Sequence, residues 1–218
     1  MALGPLIRRL LGRRFARRAG EYYRAMYVDL AKVAAAMAAV IPHDAHLLDV
    51  GGGDGQALNH LLAIRPDLTI TTLDPAPMVG QWIDPRYHVQ VKRLPRTSIA
   101  EFVACPHAHL DVILIADVMH HIPVSARRKF LDSISVLLER TPDLRIIVKD
   151  VEPGHWRALL GSWSDRYITG DRNVSLISRD SVTSLFEEAL GPLHREDTNL
   201  FKKDGPNYAI VFHREPSE

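Results

Sequence analysis

Cysteine is almost absent from the sequence: its 218 residues include one, Cys105. One cysteine cannot form an internal disulfide, and without a Cys-x-x-Cys pair there is no cysteine zinc site. No apolar run reaches the roughly 20 residues that a membrane-spanning helix needs, and the amino terminus lacks the features of a secretory signal. These absences argue against a disulfide-rich secreted protein and a membrane-spanning one. They favour a cytoplasmic protein in which Cys105 is a small buried residue.

Acidic residues are missing from residues 1–20, a stretch that contains six arginines. The whole chain has a net charge of +1, so the residues from Glu21 onward carry net negative charge. We therefore expect a basic amino-terminal arm followed by a single domain, residues 21–218. For the arm, a peripheral membrane anchor, an organelle presequence, a nucleic-acid arm and a solvated helix or cap all remain open.

Apolar residues recur every three to four positions after Glu21, which predicts an amphipathic helix that Pro42 stops, within a helical cap of residues 21–44. Short aliphatic runs then alternate with helical stretches. The predicted strands are His46–Val50, Leu68–Leu73, Tyr87–Val91, Leu110–Ile115 and Leu144–Val148. The predicted helices are Gln56–Ile64, Pro77–Trp82, Ser98–Val103 and Ser125–Leu138. Continuous aliphatic runs suit strands buried on both faces, so the pattern predicts a doubly wound α/β fold with a mostly parallel sheet.

The pattern changes after the fifth aliphatic run. Residues 152–179 form an insertion rich in Gly, Ser, Asp, Arg and Trp, and a helix is predicted next at Ser181–Leu190. Two further strand candidates, Leu193–Thr198 and Tyr208–His213, flank a Lys-Lys-Asp-Gly-Pro turn. We expect a C-terminal antiparallel hairpin at the end of the sheet.

A glycine-rich loop follows the first strand, with Gly51, Gly53 and Gly55 at alternate positions. A dinucleotide fingerprint would need Gly or Ala where the chain has Gln56, and a P-loop would need a Gly-Lys-Ser/Thr run that is missing. Asp74 ends the second strand, where a carboxylate can accept both hydroxyls of a ribose. Loop and carboxylate together indicate a nucleoside ligand without a pyrophosphate.

The chain resembles the class I S-adenosylmethionine-dependent methyltransferases. Leu47 to Gly55 is similar to their first motif, Leu73-Asp74 to their second, and Asp111 to Pro123 to their fourth strand and following loop, as in small-molecule methyltransferases of the ubiquinone/menaquinone and natural-product types. The resemblance covers residues 45–213. It implies a Rossmann-like methyltransferase fold with seven strands, S-adenosylmethionine as cofactor, and methyl transfer to an oxygen or carbon of a small organic molecule.

The resemblance also implies positions that contact the cofactor. They are Asp49, Gly51, Gly52, Gly53, Gly55, Asp74, Pro75, Met78 and Asp117. Asp49 would orient the loop or bind the amino group, Asp74 would hold the ribose, and Asp117 would sit beside the methionine portion. Pro75 and Met78 would lie near the adenine. Relatives usually carry an acid after the third strand that accepts from the adenine amino group; here Thr97, Ser98 or a backbone carbonyl is the candidate.

Two histidines follow the fourth strand, beside the expected cofactor site. A base that titrates near neutral pH can remove the acceptor's proton, so His120 and His121 are the catalytic candidates, with no preference between them. The alternative is that they cap or pack the loop. Lys149 and Asp150 end the fifth strand, where Asp150 is a candidate acceptor contact and a solvated strand end is the alternative.

The insertion supplies the other candidate acceptor contacts. These are Trp156, Trp163, Arg166 and Tyr167, which would form a lid over a flat, lipophilic or anionic substrate, or else belong to a surface helix. No metal site is expected: His107 and His109 have the spacing of a ligand pair, but they precede the fourth strand at the end opposite the crevice, which favours surface histidines.

Two other functions compete with that of a small-molecule methyltransferase. A nucleic-acid methyltransferase would use the basic arm, but the chain has Asp117-Val-Met-His where enzymes that methylate base amines commonly carry Asp/Asn-Pro-Pro-Tyr/Phe. A non-catalytic protein that retains the fold would not need the intact glycine loop and Asp74. The sequence predicts neither the identity of the acceptor nor an oligomeric state.

Overall fold

The computed structural model describes residues 30–154, 174–196, 201 and 207–214. Its helices are α1 (Leu30–Ala38), α2 (Gln56–Ile64), α3 (Ile99–Ala104), α4 (Val124–Arg140) and α5 (Arg179–Leu190). Its strands are β1 (His46–Val50), β2 (Thr69–Asp74), β3 (Val91–Pro95), β4 (Val112–Ala116), β5 (Arg145–Val151), β6 (His194–Glu196) and β7 (Asn207–His213). Short 3₁₀ helices cover Pro85–Tyr87 and Met119–His121.

The seven strands form one sheet in the order β3-β2-β1-β4-β5-β7-β6. All pairs from β3 to β5 are parallel, and β7 runs antiparallel to both of its neighbours. The doubly wound, mostly parallel sheet and its antiparallel hairpin are therefore confirmed. In the register, Val50 lies opposite Leu73 and Ile115, so the residues that follow β1, β2 and β4 meet at one edge.

Helices cover both faces of the sheet. On one face, α1 and α2 bury their apolar sides, with Met37 and Leu62 packed in the same cluster as Leu47 of β1. On the other face, α3, α4 and α5 pack around β4 and β5, and Phe186 of α5 stacks on Phe212 of β7 at 4.9 Å between ring centroids. Burial on both sides explains why the strands are continuous aliphatic runs.

A buried arginine fixes the end of α1. The amphipathic pattern predicted a helix stopped by Pro42, and the described part of it ends at Ala38. The guanidinium of Arg65 donates to the carbonyls of Ala38, Ile41 and Pro42 at 3.0, 2.6 and 2.5 Å, and also to both oxygens of Asp67. The carbonyl groups left unpaired at this helix end thus receive charged donors.

Two local predictions were wrong in the stretch between β2 and β3. Residues 77–82 are not helical, because Gly80 and Trp82 donate their N–H groups to Gly53 and Asp54 of the glycine loop at 2.9 and 2.8 Å. The third strand starts at Val91 rather than Tyr87, because Pro85–Tyr87 forms a 3₁₀ turn that starts at an Asp cap. The apolar pattern misled here because Val89 is 99% exposed.

Cys105 is exposed at the end of α3, so its predicted burial was wrong. His109 is exposed and His107 stacks on Phe102 at 4.9 Å. Among the described residues no helix is long and apolar enough to span a membrane. The basic arm, residues 21–29 of the predicted cap, and most of the insertion lie outside the described residues.

Candidate functional site

The glycine loop turns sharply over the carboxyl end of β2. The N–H groups of Gly51 and Gly52 both donate to the carbonyl of Leu73, at 2.8 and 3.1 Å. Gly51, Gly53 and Gly55 have φ angles of 76°, 52° and 82°, in the left-handed region where only glycine is unstrained. The glycines at alternate positions therefore allow the backbone to make this turn.

A buried hydrogen bond lies beneath Gly52. Thr72 donates its hydroxyl to Asp49 Oδ2 at 2.7 Å, and a Cβ on Gly52 would overlap that hydroxyl and come within 2.5 Å of Asp49 Oδ2. Burial raises the pKa of Asp49 to about 6, the Thr72 hydrogen bond opposes this, and the charge of Asp74 adds to it. Asp49 is thus a buried carboxyl group directly under the loop.

The loop is open at Gly53, whose backbone contacts Asp74. Gly53 is exposed, and a Cβ there would have only the Gly51 carbonyl within 4 Å, at 3.9 Å. One oxygen of Asp74 accepts from the Gly53 N–H at 3.1 Å and the other from the Ala76 N–H at 2.8 Å. A carboxylate has about four acceptor positions, so two fixed N–H donors orient Asp74 and leave it able to accept from hydroxyl groups.

Two exposed apolar residues, Pro75 and Met78, follow β2, and Met78 is 60% exposed. Of the two hydroxyls considered for the adenine amino group, that of Ser98 forms a capping box with Glu101 at the start of α3. The Thr97 hydroxyl donates to the Pro95 carbonyl at 3.2 Å. Ser98 is therefore occupied by helix capping.

An ion pair joins β4 to β5 on the other side of the loop. Lys149 is fully buried, and its Nζ donates to both oxygens of Asp117 at 2.6 and 2.7 Å. Asp117 has a φ of 59°, and its N–H donates to the Lys149 carbonyl at 2.8 Å. A solvated strand end is thus wrong for Lys149, and equally for Asp150, whose exposure is also 0%.

His120 and Asp150 form a buried hydrogen-bonded pair. The Nδ1 atom of His120 lies 2.6 Å from Asp150 Oδ1, and the backbone N–H of His120 donates to Oδ2 at 3.3 Å. Val151 N–H donates to Oδ1 as well, at 2.8 Å. In a neutral imidazole whose Nδ1–H donates to a carboxylate, Nε2 is the basic nitrogen. His121 is half-buried, with its ring 4.1 Å from that of His120.

A second set of hydrogen bonds, which the sequence patterns do not predict, holds the His120 turn. Ser175 N–H donates to the His120 carbonyl at 2.8 Å, and Arg127 donates to the carbonyls of Ile122 and Ser175 at 3.1 and 2.9 Å. Burial lowers the pKa of Arg127, and the charge of Asp150 opposes that shift. These residues come from separate elements, so no spacing along the chain could reveal them.

Tyr208 of β7 contacts the segment that contains Ser175 and Ile177. Its hydroxyl donates to the Ile177 carbonyl at 3.0 Å, and burial raises the pKa of the phenol far above its ordinary value, so it stays neutral. The described segment that returns from the insertion is therefore tied to both α4 and β7.

Three of the predicted side chains meet at one point. Polar atoms of Asp117, His120 and Asp150 all lie within 4.8 Å of one another, and Lys149 supplies a positive charge beside them. Asp117 already accepts hydrogen bonds from Lys149, and His120 and Asp150 are already hydrogen-bonded to each other. Four predicted acceptor contacts lie outside the described residues: Trp156, Trp163, Arg166 and Tyr167.

Comparison with known proteins identifies the family. The sequence profile described as a methyltransferase domain matches residues 21–189. The chain belongs to this methyltransferase-domain family. Its resemblance to class I methyltransferases is thereby confirmed, while a comparison with curated protein sequences gives no significant match.

Solved structures agree with the methyltransferase-domain assignment at the level of the fold. Mitomycin 7-O-methyltransferase is similar with a TM-score of 0.64 and 22% identity, over 93% of this chain and 58% of that one. Human N-acetylserotonin methyltransferase gives 0.66 and 19%, over 95% and 57%. A Burkholderia thailandensis 1,6-didemethyltoxoflavin-N1-methyltransferase gives 0.58 and 18%, over 84% and 76%. This methyltransferase-domain chain therefore spans less than two thirds of the first two proteins.

Proposed function

We propose that this chain is an S-adenosylmethionine-dependent methyltransferase that transfers a methyl group to an oxygen or carbon of a small organic molecule. The observation that carries the proposal is the buried His120–Asp150 pair, which lies at the same sheet edge as the glycine loop and Asp74. The family assignment supports it. So do two similar proteins, of which the human enzyme was solved with S-adenosylmethionine and the Burkholderia enzyme with S-adenosylhomocysteine.

Different groups of the site are assigned to different parts of the cofactor. The hydroxyl groups of the ribose would bind Asp74, and Pro75 and Met78 would border the adenine. Backbone groups of the glycine loop, including the exposed Gly53, would receive the amino-acid end. In the same scheme Gly51, Gly52 and Gly55 shape the loop, Asp49 supports it from beneath, and Asp117 lies beside the methionine portion.

In this reaction the protein mainly aligns the reactants and accepts a proton. S-adenosylmethionine supplies an electrophilic methyl group on a sulfonium. His120 would accept the acceptor's proton at Nε2 as the new bond to the methyl carbon forms, and Asp150 would stabilise the resulting imidazolium. The carbon–sulfur bond breaks in the same step and S-adenosylhomocysteine leaves. The fixed Nδ1 contact aligns the ring, and alignment of reactants is a large part of such catalysis.

We propose a flat, lipophilic or anionic acceptor that contacts Trp156, Trp163, Arg166 and Tyr167 of the insertion. Asp150 is better assigned to His120 than to the acceptor, because it is fully buried. We propose that the protein works in the cytoplasm, because a chain with a single cysteine suits a reducing compartment.

The arginine-rich arm, residues 1–20, is proposed to make peripheral contact with anionic membranes that hold a lipophilic acceptor. Deleting residues 1–20 should abolish sedimentation with phosphatidylserine vesicles while leaving affinity for S-adenosylhomocysteine unchanged. Retained sedimentation would exclude the membrane role. Weakened cofactor affinity would instead place the arm in the cofactor site.

Calorimetric titration with S-adenosylhomocysteine tests the proposed cofactor. The wild-type chain should bind, and Asp74→Ala should weaken binding at least about tenfold because the ribose loses a charged acceptor. Asp132→Ala is the matched control, since it removes an exposed carboxylate that pairs with Arg128 on α4. Absence of binding by the wild type, or equal binding by Asp74→Ala, would contradict the proposal.

A further inference from the structure

Lys149 is among the largest fully buried side chains in the described part of the protein. A buried ammonium group is costly unless it is paired and hydrogen-bonded. Here both oxygens of Asp117 accept from Nζ, at 2.6 and 2.7 Å. Asp117 itself is partly open, with 42% of its side chain exposed. The pair therefore places a buried positive charge against a partly exposed carboxylate.

The position of Asp117 makes this charge relevant to His120. Polar atoms of Asp117, His120 and Asp150 lie within 4.8 Å of one another, so the imidazole has two carboxylates as close neighbours. Opposite charges within about 4–6 Å favour the charged form of a titrating group. Two uncompensated carboxylates would therefore hold a proton on the imidazole, and a protonated ring cannot act as a base.

We propose that Lys149 is a positioning residue whose ammonium group neutralises Asp117, so that His120 responds to one carboxylate, Asp150, and stays available as a proton acceptor. The inference rests on the proposed function, in which His120 is the base. It assigns a role to a residue that need not touch either substrate. It also explains why an ammonium group is kept in the interior next to the site.

Other titratable groups surround His120 on the elements packed against it. Its own turn contributes His121, α4 contributes Arg127, whose charge interacts with Asp150, and β7 contributes the neutral phenol of Tyr208. Glu152, after β5, interacts with Tyr208. None of these groups contacts the Lys149 ammonium through a described hydrogen bond. Changes at Lys149 and Asp117 therefore alter the charge near His120 while leaving the rest of its surroundings in place.

The test is an NMR titration of the full-length protein labelled at histidine, with the His120 resonance assigned from its absence in His120→Gln. Lys149→Met should raise the titration midpoint of His120 by about one pH unit or more, a tenfold tighter hold on the proton. Asp117→Asn should lower the midpoint, because the ammonium is then uncompensated. Lys149→Met/Asp117→Asn should return it close to the wild-type midpoint.

Lys129→Met is the matched control, because Lys129 is an exposed lysine on α4. It should leave the midpoint unchanged. A midpoint that stays fixed in Asp117→Asn and in Lys149→Met overturns the inference, and so does a double variant that shifts as far as Lys149→Met. If Lys149→Met does not fold, the opposite shift in Asp117→Asn and its reversal in the double variant still decide the question.

The proposed function has its own separate readout. If His120→Gln keeps full methyl-transfer activity, His120 is not the base, whatever the titration gives. If His120→Gln is inactive, the acid limb of the rate–pH profile should move with the NMR midpoint in Lys149→Met and return in the double variant. A purely structural role for Lys149 would lower activity at every pH and leave that limb where it is.

Discussion

The hydroxyl of Thr72 donates to Asp49 Oδ2 at 2.7 Å beneath the backbone of Gly52. This contact joins the ends of β1 and β2 under the loop that we assign to the cofactor. Asp49 is almost fully buried, and that burial keeps its carboxyl group partly protonated near pH 6. The loop thus rests on a titrating group, which couples the fold and the site to pH.

Asp49→Asn should change how stability depends on pH. Because the pKa rises from its ordinary 3.8 to about 6, the folded protein keeps a proton between these values that the unfolded chain has released. Stability should therefore fall by up to about 3 kcal/mol as pH rises through that window. Asp49→Asn lacks this contribution. Urea denaturation at pH 4.5, 5.5 and 7 measures the difference between the two proteins.

Thr72→Val is the companion to that experiment. Without the hydroxyl donor the buried carboxylate is harder to ionise, so the loss of stability with pH should extend above pH 6. If wild type, Asp49→Asn and Thr72→Val have parallel stability curves, Asp49 does not titrate in this window.

Alanine substitution at two glycines of the loop should have different effects on stability and on cofactor affinity. In Gly52→Ala the new Cβ overlaps the Thr72 hydroxyl, so we expect a loss of about 2–4 kcal/mol in unfolding free energy. In Gly53→Ala the Cβ enters open space, and the left-handed φ of 52° costs only about 1–2 kcal/mol. The folded Gly53→Ala protein should nevertheless bind S-adenosylhomocysteine at least about tenfold more weakly.

Gly154→Ala controls for the backbone strain alone, because Gly154 has a φ of 93° and open space around its Cβ position. It should lose some stability and keep its cofactor affinity. Unchanged affinity in Gly53→Ala would mean that the ligand does not approach the open side of the loop.

The two histidines after β4 should differ in their effect on turnover. His120→Gln removes the base held by Asp150 and should lower kcat by about 10²–10⁴. His121→Gln leaves that pair intact and should have a much smaller effect. Both proteins should bind S-adenosylhomocysteine like the wild type. The reverse order of effects on kcat would assign the base to His121.

Arg65→Met should affect stability without affecting the site. The variant leaves Asp67 and three carbonyl groups near the end of α1 without their charged donor, at a cost of about 3 kcal/mol. Arg128→Met, which breaks an exposed pair with Asp132, should cost less than about 0.5 kcal/mol. Thermal unfolding compares the two, and altered cofactor affinity in folded Arg65→Met would contradict a structural role.

The elements set by local pattern were predictable from the sequence. Helix Gln56–Ile64 has the predicted bounds, because its apolar spacing and the preceding Gly55 are local signals. The third strand was misplaced because Pro85 and the Asp84 cap impose a turn that the apolar pattern does not reveal. Likewise, residues 77–82 are held by the glycine loop rather than by their own helical hydrogen bonds.

The residues of the candidate site were predictable from the sequence, but the contacts between them were not. The loop glycines, Asp74 and the two histidines follow strands, and parallel strands bring such residues to one edge. The Lys149–Asp117 pair joins residues 32 apart in the sequence, and Arg127 reaches across 48 residues to Ser175. Such contacts depend on which strands are neighbours and on how a helix packs. The local spacing of residues predicts neither.

A crystal structure of the complex with S-adenosylhomocysteine is the decisive test of the cofactor site and of the base. We expect the ribose hydroxyls to bind the Asp74 carboxylate, the amino-acid end to follow the loop at Gly53, and the sulfur to face His120. A nucleoside bound elsewhere, with Asp74 free of it and the sulfur directed away from His120, would contradict both the cofactor assignment and the proposed base.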